Sequence, residues 1–346
     1  MRTSPRFANL PIAAAALAIL AGCSNASGAS FTGSGPEQPR SVAGLREAKA
    51  GGALAFISDW NNHAVYIIGR NGTVTATLAV DGPGGLAVDA AHNLYVVDEA
   101  ESDVLVYAPP YASASRTLAD PGFKPNDVAV DGNGNAAVTS ATSNSGGPGS
   151  VAFYAKGSTN PTTTILANGR FAGDYYCAFD SRGNLYLDSE NGSGPFEAGE
   201  VVGGIAGKRV EPLTTHNLVK FPGGMQVTKS GLIAILDQGN GSSTPTIYAY
   251  NPPKRGSLGD PVTTTPLSSA NDALAFAFQG RNERFVLTAD TFSTLLGRKR
   301  VKSDHEDQIG QTQLFAYPAG GGEVQSVRLP LDAILVGVAV NPAGSP

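Results

Sequence analysis

Four polar residues stand just before or at the start of short apolar runs and could act as oxygen ligands. They are Asn126, Asp127, Asp174 and Asp272. Carboxylate and amide oxygens are the ligands that hard cations prefer, so this set suits contact with a ligand or with Ca²⁺. We expect no obligatory cofactor, and the residues do not single out one metal.

A second set of carboxylates closes apolar runs, and this placement occurs five times. The set consists of Asp59, Asp98, Asp188, Asp237 and Asp290. An Asp at the end of a strand can accept hydrogen bonds from the backbone N–H groups that follow it, in an Asx-turn. Because the placement is repeated, a turn-forming role is favoured for this set, and the four residues that are not repeated are the better candidates for a site.

Two of the four histidines are candidates for contact with a ligand. His63 and His216 fall in loops predicted on the same side of the fold as the carboxylates. His63 lies four residues after Asp59, and the two could form an acid–base dyad. A histidine in a surface loop is more often simply solvated, and the sequence leaves both readings open.

The stretch from Gly85 to Tyr107, GLAVDAAHNLYVVDEAESDVLVY, shows how these residues are positioned. Its short runs of Val, Leu and Tyr are broken by Asp, Asn and Gly, which predicts strands joined by hairpins. The first run recurs at anchors 88, 130, 179, 227, 276 and 340. A period of about 40 to 50 residues with several short strands per unit is typical of β-propeller blades.

Each strand type of the repeat occurs six times, but the first and last units are incomplete. The chain begins with a second-type run at Leu54 to Asp59 and ends with a first-type run at Leu335 to Val340. We therefore predict an all-β, six-bladed β-propeller over residues 52–346, with four antiparallel strands per blade. Three N-terminal strands and one C-terminal strand would close the ring and remove its open edges.

The unit G-L-A-V-D-x-x-x-N-L-Y-V-V-D, followed by V-x-V-Y, resembles the NHL-repeat and SMP-30/gluconolactonase-like group of six-bladed propellers. The copy from Phe179 to Asp188 is the most similar one, and the resemblance covers about residues 52–342. It implies the propeller fold, whereas the group includes binding modules, lactonases and lyases.

The resemblance also implies a metal site that this chain matches only in part. Lactonases of the group hold a metal with a Glu from an E-G-P segment, an Asn from a P-N-G segment and an Asp from a D-G segment. Pro125-Asn126-Asp127 is similar to the second segment, with Asp in place of Gly. No E-G-P occurs, since Gln38 follows Glu37 and Pro212 follows Glu211.

The N-terminal residues 1–22 are predicted to be a secretion signal. Arg2 and Arg6 precede an apolar segment from Leu10 to Leu20 that is too short for the ~20 residues of a membrane span. Leu20-Ala21-Gly22-Cys23 resembles the lipobox of bacterial lipoproteins, which implies cleavage before Cys23 and lipidation of that cysteine. The resemblance places the protein in the bacterial cell envelope, at the outer membrane or facing the periplasm if the host is Gram-negative.

Residues 23–51 are rich in Ser, Gly, Ala and Pro and are predicted to form a lipidated flexible tether. A coil of this length has a root-mean-square span of about 30 Å. Multiple acyl chains on Cys23 would make the membrane attachment stable.

Composition limits the other function classes. The formal net charge of −5 gives no electrostatic case for binding nucleic acid. Cys177 would be the only cysteine besides Cys23, so no intramolecular disulfide can form in the folded part, and we expect Cys177 in the core.

Two irregular features could contact a partner on the predicted upper side. Trp60, the only tryptophan, could stack on a sugar or peptide or pack over the junction of the chain ends. The segment 293–311 carries a basic run and then an acidic run, and few apolar residues to pack, so it is predicted to be a loop.

These observations favour a non-catalytic binding or scaffold module, attached to the membrane by lipid on Cys23. Its partner would be an envelope protein, a peptide or a glycan. The alternative is a hydrolase or lyase, lactonase-like, acting at the upper mouth of the ring.

Overall fold

A computed structural model describes residues 53–69, 72–167, 171, 173–190, 196–216, 218–239, 243–270, 272–280, 282–290, 311–330 and 333–341. The predicted leader, Cys23, the predicted tether, His305 and nearly all of the segment 293–311 lie outside these residues. Within the described part of the chain, no helix is long and apolar enough to cross a membrane.

The described residues form twenty-five strands. The first two blades along the chain contain β1 (Ala53–Asp59), β2 (Ala64–Gly69), β3 (Val74–Ala79), β4 (Pro83–Val88), β5 (Leu94–Asp98), β6 (Asp103–Tyr107) and β7 (Ala114–Ala119). The next two contain β8 (Phe123–Val130), β9 (Ala136–Ser143), β10 (Pro148–Tyr154), β11 (Thr163–Leu166), β12 (Gly173–Phe179), β13 (Leu185–Glu190), β14 (Phe196–Val201) and β15 (Glu211–Thr215). The remaining strands are β16 (Pro222–Val227), β17 (Ile233–Asp237), β18 (Thr246–Tyr250), β19 (Ser257–Gly259), β20 (Thr263–Pro266), β21 (Ala273–Gln279), β22 (Phe285–Asp290), β23 (Gln311–Ala316), β24 (Gln325–Arg328) and β25 (Leu335–Val340).

The strands pair as six sheets, each with four antiparallel strands in the order of the predicted repeat. This confirms the all-β, six-bladed propeller. One sheet has an addition, because β19 pairs in parallel with the outer edge of β15 and places Ser257 opposite Thr214. Blade 4, formed by β12 to β15, is therefore covered on its outer side by a strand from the next blade.

The ring closes where β25 pairs with β1. The two strands are antiparallel, with Val340 opposite Ala55 and Val338 opposite Ile57. Blade 1 therefore contains three strands from the beginning of the ring and one from its end, as the sequence predicted.

The hydrophobic core lies between adjacent blades and not at the axis alone. Phe56 of blade 1 is fully buried among side chains of blade 2 and meets the ring of Tyr111 edge-on at a centroid distance of 5.0 Å. Corresponding clusters fill the spaces between the other blades. Burying a side chain of this size stabilises the fold by about 1.5–3 kcal/mol. Cys177 belongs to one of these clusters, as predicted.

The repeated pattern Asp-x-x-x-Asn forms the hairpin between the first and second strands. Asp89 accepts hydrogen bonds of 2.8 Å from the N–H groups of Ala91 and Asn93 and from the Asn93 side chain. Asp131 and Asp180 repeat this arrangement in the next two blades. Asp131 therefore belongs to the hairpin between the first and second strands of blade 3.

One predicted boundary is wrong, and one strand ends early. β14, the third strand of blade 4, ends at Val201, and Ile205 lies in a 3₁₀ turn. Gly203 and Gly204 have φ values of 75° and 49°. These positive values lie outside the extended region of the backbone, so the strand cannot continue through the two glycines. Asp188 does not close its strand, since β13 continues to Glu190.

Candidate functional site

The predicted site residues gather toward one face of the ring. We call the upper face the side on which second strands end and first strands begin. The lower face carries the connections between first and second strands and between third and fourth strands. By this topology the loops holding Trp60, His63 and Asp272 lie on the upper face, as predicted, and His92 lies in a lower hairpin.

Asn126 and Asp127 lie within β8 and connect it to β12 of the next blade. The Asn126 side-chain amide donates a hydrogen bond of 2.8 Å to the carbonyl oxygen of Tyr175. The Thr139 hydroxyl donates to the same oxygen at 2.7 Å. The Asp127 carboxylate accepts the N–H of Cys177 at 3.0 Å. Both predicted ligand residues therefore hold two inner strands together.

Asp127 is buried, with 8% of its surface exposed. Burial raises the pKa of its carboxyl to about 7, and the backbone N–H groups of Cys177 and Val128 oppose that rise. The carboxylate lies over Gly85 of the neighbouring blade, where an added Cβ atom would stand 2.0 Å from Asp127 Oδ1. Only glycine leaves room for the side chain at this point.

Glycines bring the inner strands into direct contact around the axis. A Cβ at Gly337 would lie 2.5 Å from the carbonyl oxygen of Gly84, and one at Gly224 would lie 3.0 Å from Ala275 Cα. The cavity at the axis has a volume of about 10 Å³ and is bordered by Asp127 and Tyr176 among others. That volume is at or below what one water molecule needs. The centre of the ring is therefore packed shut.

The other two members of the predicted ligand set lie on different blades. Asp272 precedes β21, and its own N–H donates to Asp290 Oδ1 at 2.9 Å. Burial raises the pKa of the Asp272 carboxyl to about 6, and the negative charge of Asp290 adds to the rise. Asp174 lies in β12 opposite Ser189.

The five repeated carboxylates share one function in the fold. Each accepts a backbone N–H from the segment that leads into, or forms, the first strand of its own blade. The pairs are Asp59 with Ile334, Asp98 with Gly82, Asp188 with Tyr176, Asp237 with Lys220 and Asp290 with Asp272. Asp59, Asp98 and Asp237 also accept N–H groups from the turns that follow them.

Blade 3 makes this connection with the two partners exchanged. Ser140 occupies the position that Asp98 has in blade 2, and its hydroxyl donates to Asp120 Oδ2 at 2.7 Å. Asp120 stands in the segment before β8 and is 1% exposed. Burial raises the pKa of the Asp120 carboxyl, and the Ser140 hydroxyl opposes that rise. This pair was not predicted from the sequence, although a Ser at the position of the repeated Asp marks it.

His63 does not pair with Asp59 in the structure. Its ring Nδ1 lies against the Asp81 carbonyl oxygen, and 3.4 Å from Asp81 Oδ1, on the exposed surface. Asp59 is bound instead by Asn62, Tyr66 and Ile334. The predicted acid–base dyad is therefore replaced by a solvated His63–Asp81 pair.

Trp60 and His216 lie apart from each other. Trp60 is half-buried, and its backbone N–H donates to the Ile334 carbonyl oxygen at 2.8 Å, beside the ring closure. His216 follows β15 and pairs through Nδ1 with Asp260 Oδ1 at 2.5 Å, with both side chains exposed. The structure thus spreads the candidates around the upper rim.

A larger cavity lies away from the upper mouth. A groove of about 240 Å³ on the perimeter runs between β11 and the turn from Lys208 to Val210. Its lining includes Leu166, which is 58% exposed. Among the described residues, no three His, Cys, Asp or Glu side chains form a group that could hold a metal ion.

No protein-family model matches this chain, and no curated protein matches it in sequence. Solved structures do resemble it. A chain of the nidogen/laminin complex covers 85% of this chain and all of its own length, with 15% identity and a TM-score of 0.59. A protein of unknown function from Bacteroides caccae covers 83% of this chain and 98% of its own length, with 10% identity and a TM-score of 0.61.

A third structure is the calcium-binding protein regucalcin from Agrobacterium tumefaciens. It covers 80% of this chain and 90% of its own length, with 14% identity and a TM-score of 0.56. Sequence identities this low show the fold alone. The chain is a β-propeller, and its structural neighbours include a chain of the nidogen/laminin complex and a calcium-binding protein.

Proposed function

We propose that this protein is a non-catalytic binding or scaffold propeller, held in the bacterial cell envelope by lipid on Cys23. Its ligand would be an envelope protein, a peptide or a glycan. We also propose that the chain is related to the NHL-repeat and SMP-30-like propellers. The repeated sequence unit supports this relationship.

The observation that carries the proposal is the role of Asn126 and Asp127. In the lactonase pattern the residue at the position of Asn126 is a metal ligand. Here the Asn126 amide is engaged by Tyr175 O at 2.8 Å, and the Asp127 carboxylate by Cys177 N at 3.0 Å. Both side chains serve the packing of a closed axis. Recognition would then fall to the exposed rim.

The upper rim offers chemistry suited to a polar ligand. Trp60 is partly exposed there, and aromatic faces bind sugars and peptides through apolar contact. His63 with Asp81 lies in the same loop region, and Lys124 Nζ stands 3.8 Å from Glu99 on the neighbouring blade. A binding function therefore rests on Trp60 and His63, with His216 as a separate rim position.

The lipid attachment rests on the sequence from Leu20 to Cys23 and on the composition of residues 23–51. Cys23→Ser should release the protein from the membrane fraction. Retention of this variant in the membrane would contradict lipidation as the means of attachment.

A thermal-shift screen tests the binding proposal. The chain from Ser24 to Pro346 is heated with Ca²⁺ and other cations, sugars and peptidoglycan fragments. We expect one class to raise the melting temperature, and Trp60→Ala with His63→Ala to remove the shift. Lys254→Gln on the lower face is the matched control and should keep it. A shift that survives the Trp60 and His63 changes would place the ligand elsewhere and contradict the proposed rim.

A further inference from the structure

Charged side chains differ in sign between the two faces of the ring. Eight exposed Lys and Arg residues lie in the described connections of the lower face, among them Lys156, Lys208, Lys254, Arg255 and Arg284. Six acidic residues lie there, namely Asp89, Asp131, Asp180, Asp260, Glu283 and Glu323. The first three carboxylates accept hydrogen bonds within their own hairpins. The described lower connections therefore carry more basic than acidic side chains, although the whole chain carries a formal charge of −5.

The described connections of the upper face have the opposite sign. They hold Asp81, Glu99, Glu101, Asp120 and Asp272 against Lys220. The carboxylates at the ends of the second strands add to this negative charge. A molecule with such a separation of charge is oriented when it approaches a charged surface.

Hydrogen bonds join some neighbouring lower connections. The N–H of Lys156 donates to the Asn135 side chain at 3.1 Å, which joins two lower connections of one blade. The N–H of Lys229 donates to Glu283 at 2.8 Å, which joins the hairpins of adjacent blades. Hydrogen bonds from backbone N–H groups thus hold neighbouring lower connections together at these two places.

The beginning of the ring lies at the same face. β1 is the second strand of its blade, and its Asp59 end is the upper end, opposite Ala64. Its other end, at Ala53, is therefore the lower end, and residues 1–52 precede that point. A tether over residues 23–51 would connect the membrane to the basic face of the ring.

We propose that the lower face docks on an anionic lipid membrane, so that the upper face points away from the bilayer. The position of the tether rests on the proposed lipid attachment, whereas the charge separation does not. Basic side chains near a negatively charged leaflet are attracted within about one Debye length, roughly 8 Å at physiological salt. A tether with a span of about 30 Å would hold the lower face close enough to the bilayer for this attraction to act.

Vesicle co-sedimentation tests the docking without any lipid on the protein. The chain from Ser24 to Pro346 is mixed with vesicles of phosphatidylglycerol and phosphatidylcholine, and with vesicles of phosphatidylcholine alone. We expect binding to the first only, with loss at high salt. Lys208→Gln with Lys254→Gln should weaken it by roughly tenfold.

The matched control removes two basic residues from the upper side, Lys124→Gln with Lys220→Gln, and should leave vesicle binding within about twofold. Equal weakening by both pairs would overturn the proposal, as would binding that does not distinguish the two vesicle types. Unchanged circular dichroism of all variants ensures that the ring is intact.

The single tryptophan reports the orientation. Trp60 lies on the upper side, so its fluorescence should not be quenched by brominated phosphatidylglycerol when the chain is bound to the vesicles. Strong quenching would place the upper face on the membrane and contradict the proposal. Failure of lipidation at Cys23 would leave both measurements unaffected, because neither uses that residue.

Discussion

The Asp59 carboxylate accepts a hydrogen bond of 3.0 Å from the backbone N–H of Ile334, although 275 residues separate them in sequence. Asp59 is fully buried and also binds the Asn62 N–H, the Asn62 amide and the Tyr66 hydroxyl. In the opposite direction, the backbone N–H of Trp60 donates a hydrogen bond of 2.8 Å to the Ile334 carbonyl oxygen. These contacts tie the two ends of the propeller together at the upper face.

Asp59→Ala should destabilise the protein by about 2–4 kcal/mol, since it leaves several donors in a buried site without an acceptor. Urea denaturation gives the free energy of unfolding. The control is Asp81→Ala, whose side chain is 69% exposed, and which should cost no more than about 0.5 kcal/mol. A loss for Asp59→Ala as small as that of the control would show that the ring closes without this contact.

Gly85→Ala should be severely destabilising. The new Cβ would lie 2.0 Å from Asp127 Oδ1 and 2.7 Å from Asp127 Cα, so backbone as well as side chain would have to move. Overpacking of a tight interior costs about 1–3 kcal/mol, and a backbone clash costs at least the upper end. Gly132→Ala is the control, because nothing lies within 4 Å of its Cβ position. Similar melting temperatures for the two variants would contradict the sealed axis.

Asp127 should make stability depend on pH. Its pKa in the folded protein is raised to about 7, above the ordinary value of about 3.9 that it regains on unfolding. The folded state therefore binds the proton more tightly, and the stability gained from this group increases as pH falls from about 7 to about 4.

The measurement for Asp127 is the free energy of unfolding of the native protein and of Asp127→Asn, at pH 8 and at pH 5. The variant stays neutral and retains an oxygen that can accept the Cys177 N–H. Its stability relative to the native protein should be greater at pH 8 than at pH 5 by about 1–3 kcal/mol. Burial also raises the pKa of the Asp103 and Asp272 carboxyl groups. These groups titrate in both proteins and cancel in the difference. A difference that does not change with pH would refute the elevated pKa.

Ser140→Ala should cost about 1–3 kcal/mol at pH 8, because the buried Asp120 carboxylate loses its hydroxyl donor. Protonation of Asp120 removes much of that penalty. Burial already raises the pKa of Asp120, and loss of the hydroxyl raises it further, so the cost should shrink as pH falls through that pKa. Chemical denaturation of both proteins across pH checks this. A cost that grows at low pH would exclude this role for Ser140.

The repeat was readable from the sequence because local turn chemistry and strand alternation agree in each blade. The same pattern located the closure, since Leu54 to Asp59 and Leu335 to Val340 complete one sheet. The register of single side chains was less accessible. Asp188 stands before the end of β13. A shift of one residue along a strand moves a side chain to the opposite face of the sheet, so such errors matter for a site.

The site was harder to predict than the fold. Asn126 and Asp127 differ from the other blades, which made them candidates for ligand contact. Their contacts with Tyr175 and Cys177 depend on how two blades meet, about 50 residues apart in sequence. The sealing of the axis likewise depends on glycines of one blade facing the backbone of another. Such relationships arise from tertiary packing and leave no local signal in the sequence.

Hydrolysis assays distinguish a binding propeller from an enzyme. The chain from Ser24 to Pro346 is incubated with a panel of lactones and added divalent metal ions, beside Asn126→Ala. A binding module is expected to give no turnover above the buffer rate in either protein. Turnover by the native chain that is lost in Asn126→Ala would contradict the account and establish an enzyme at the upper mouth.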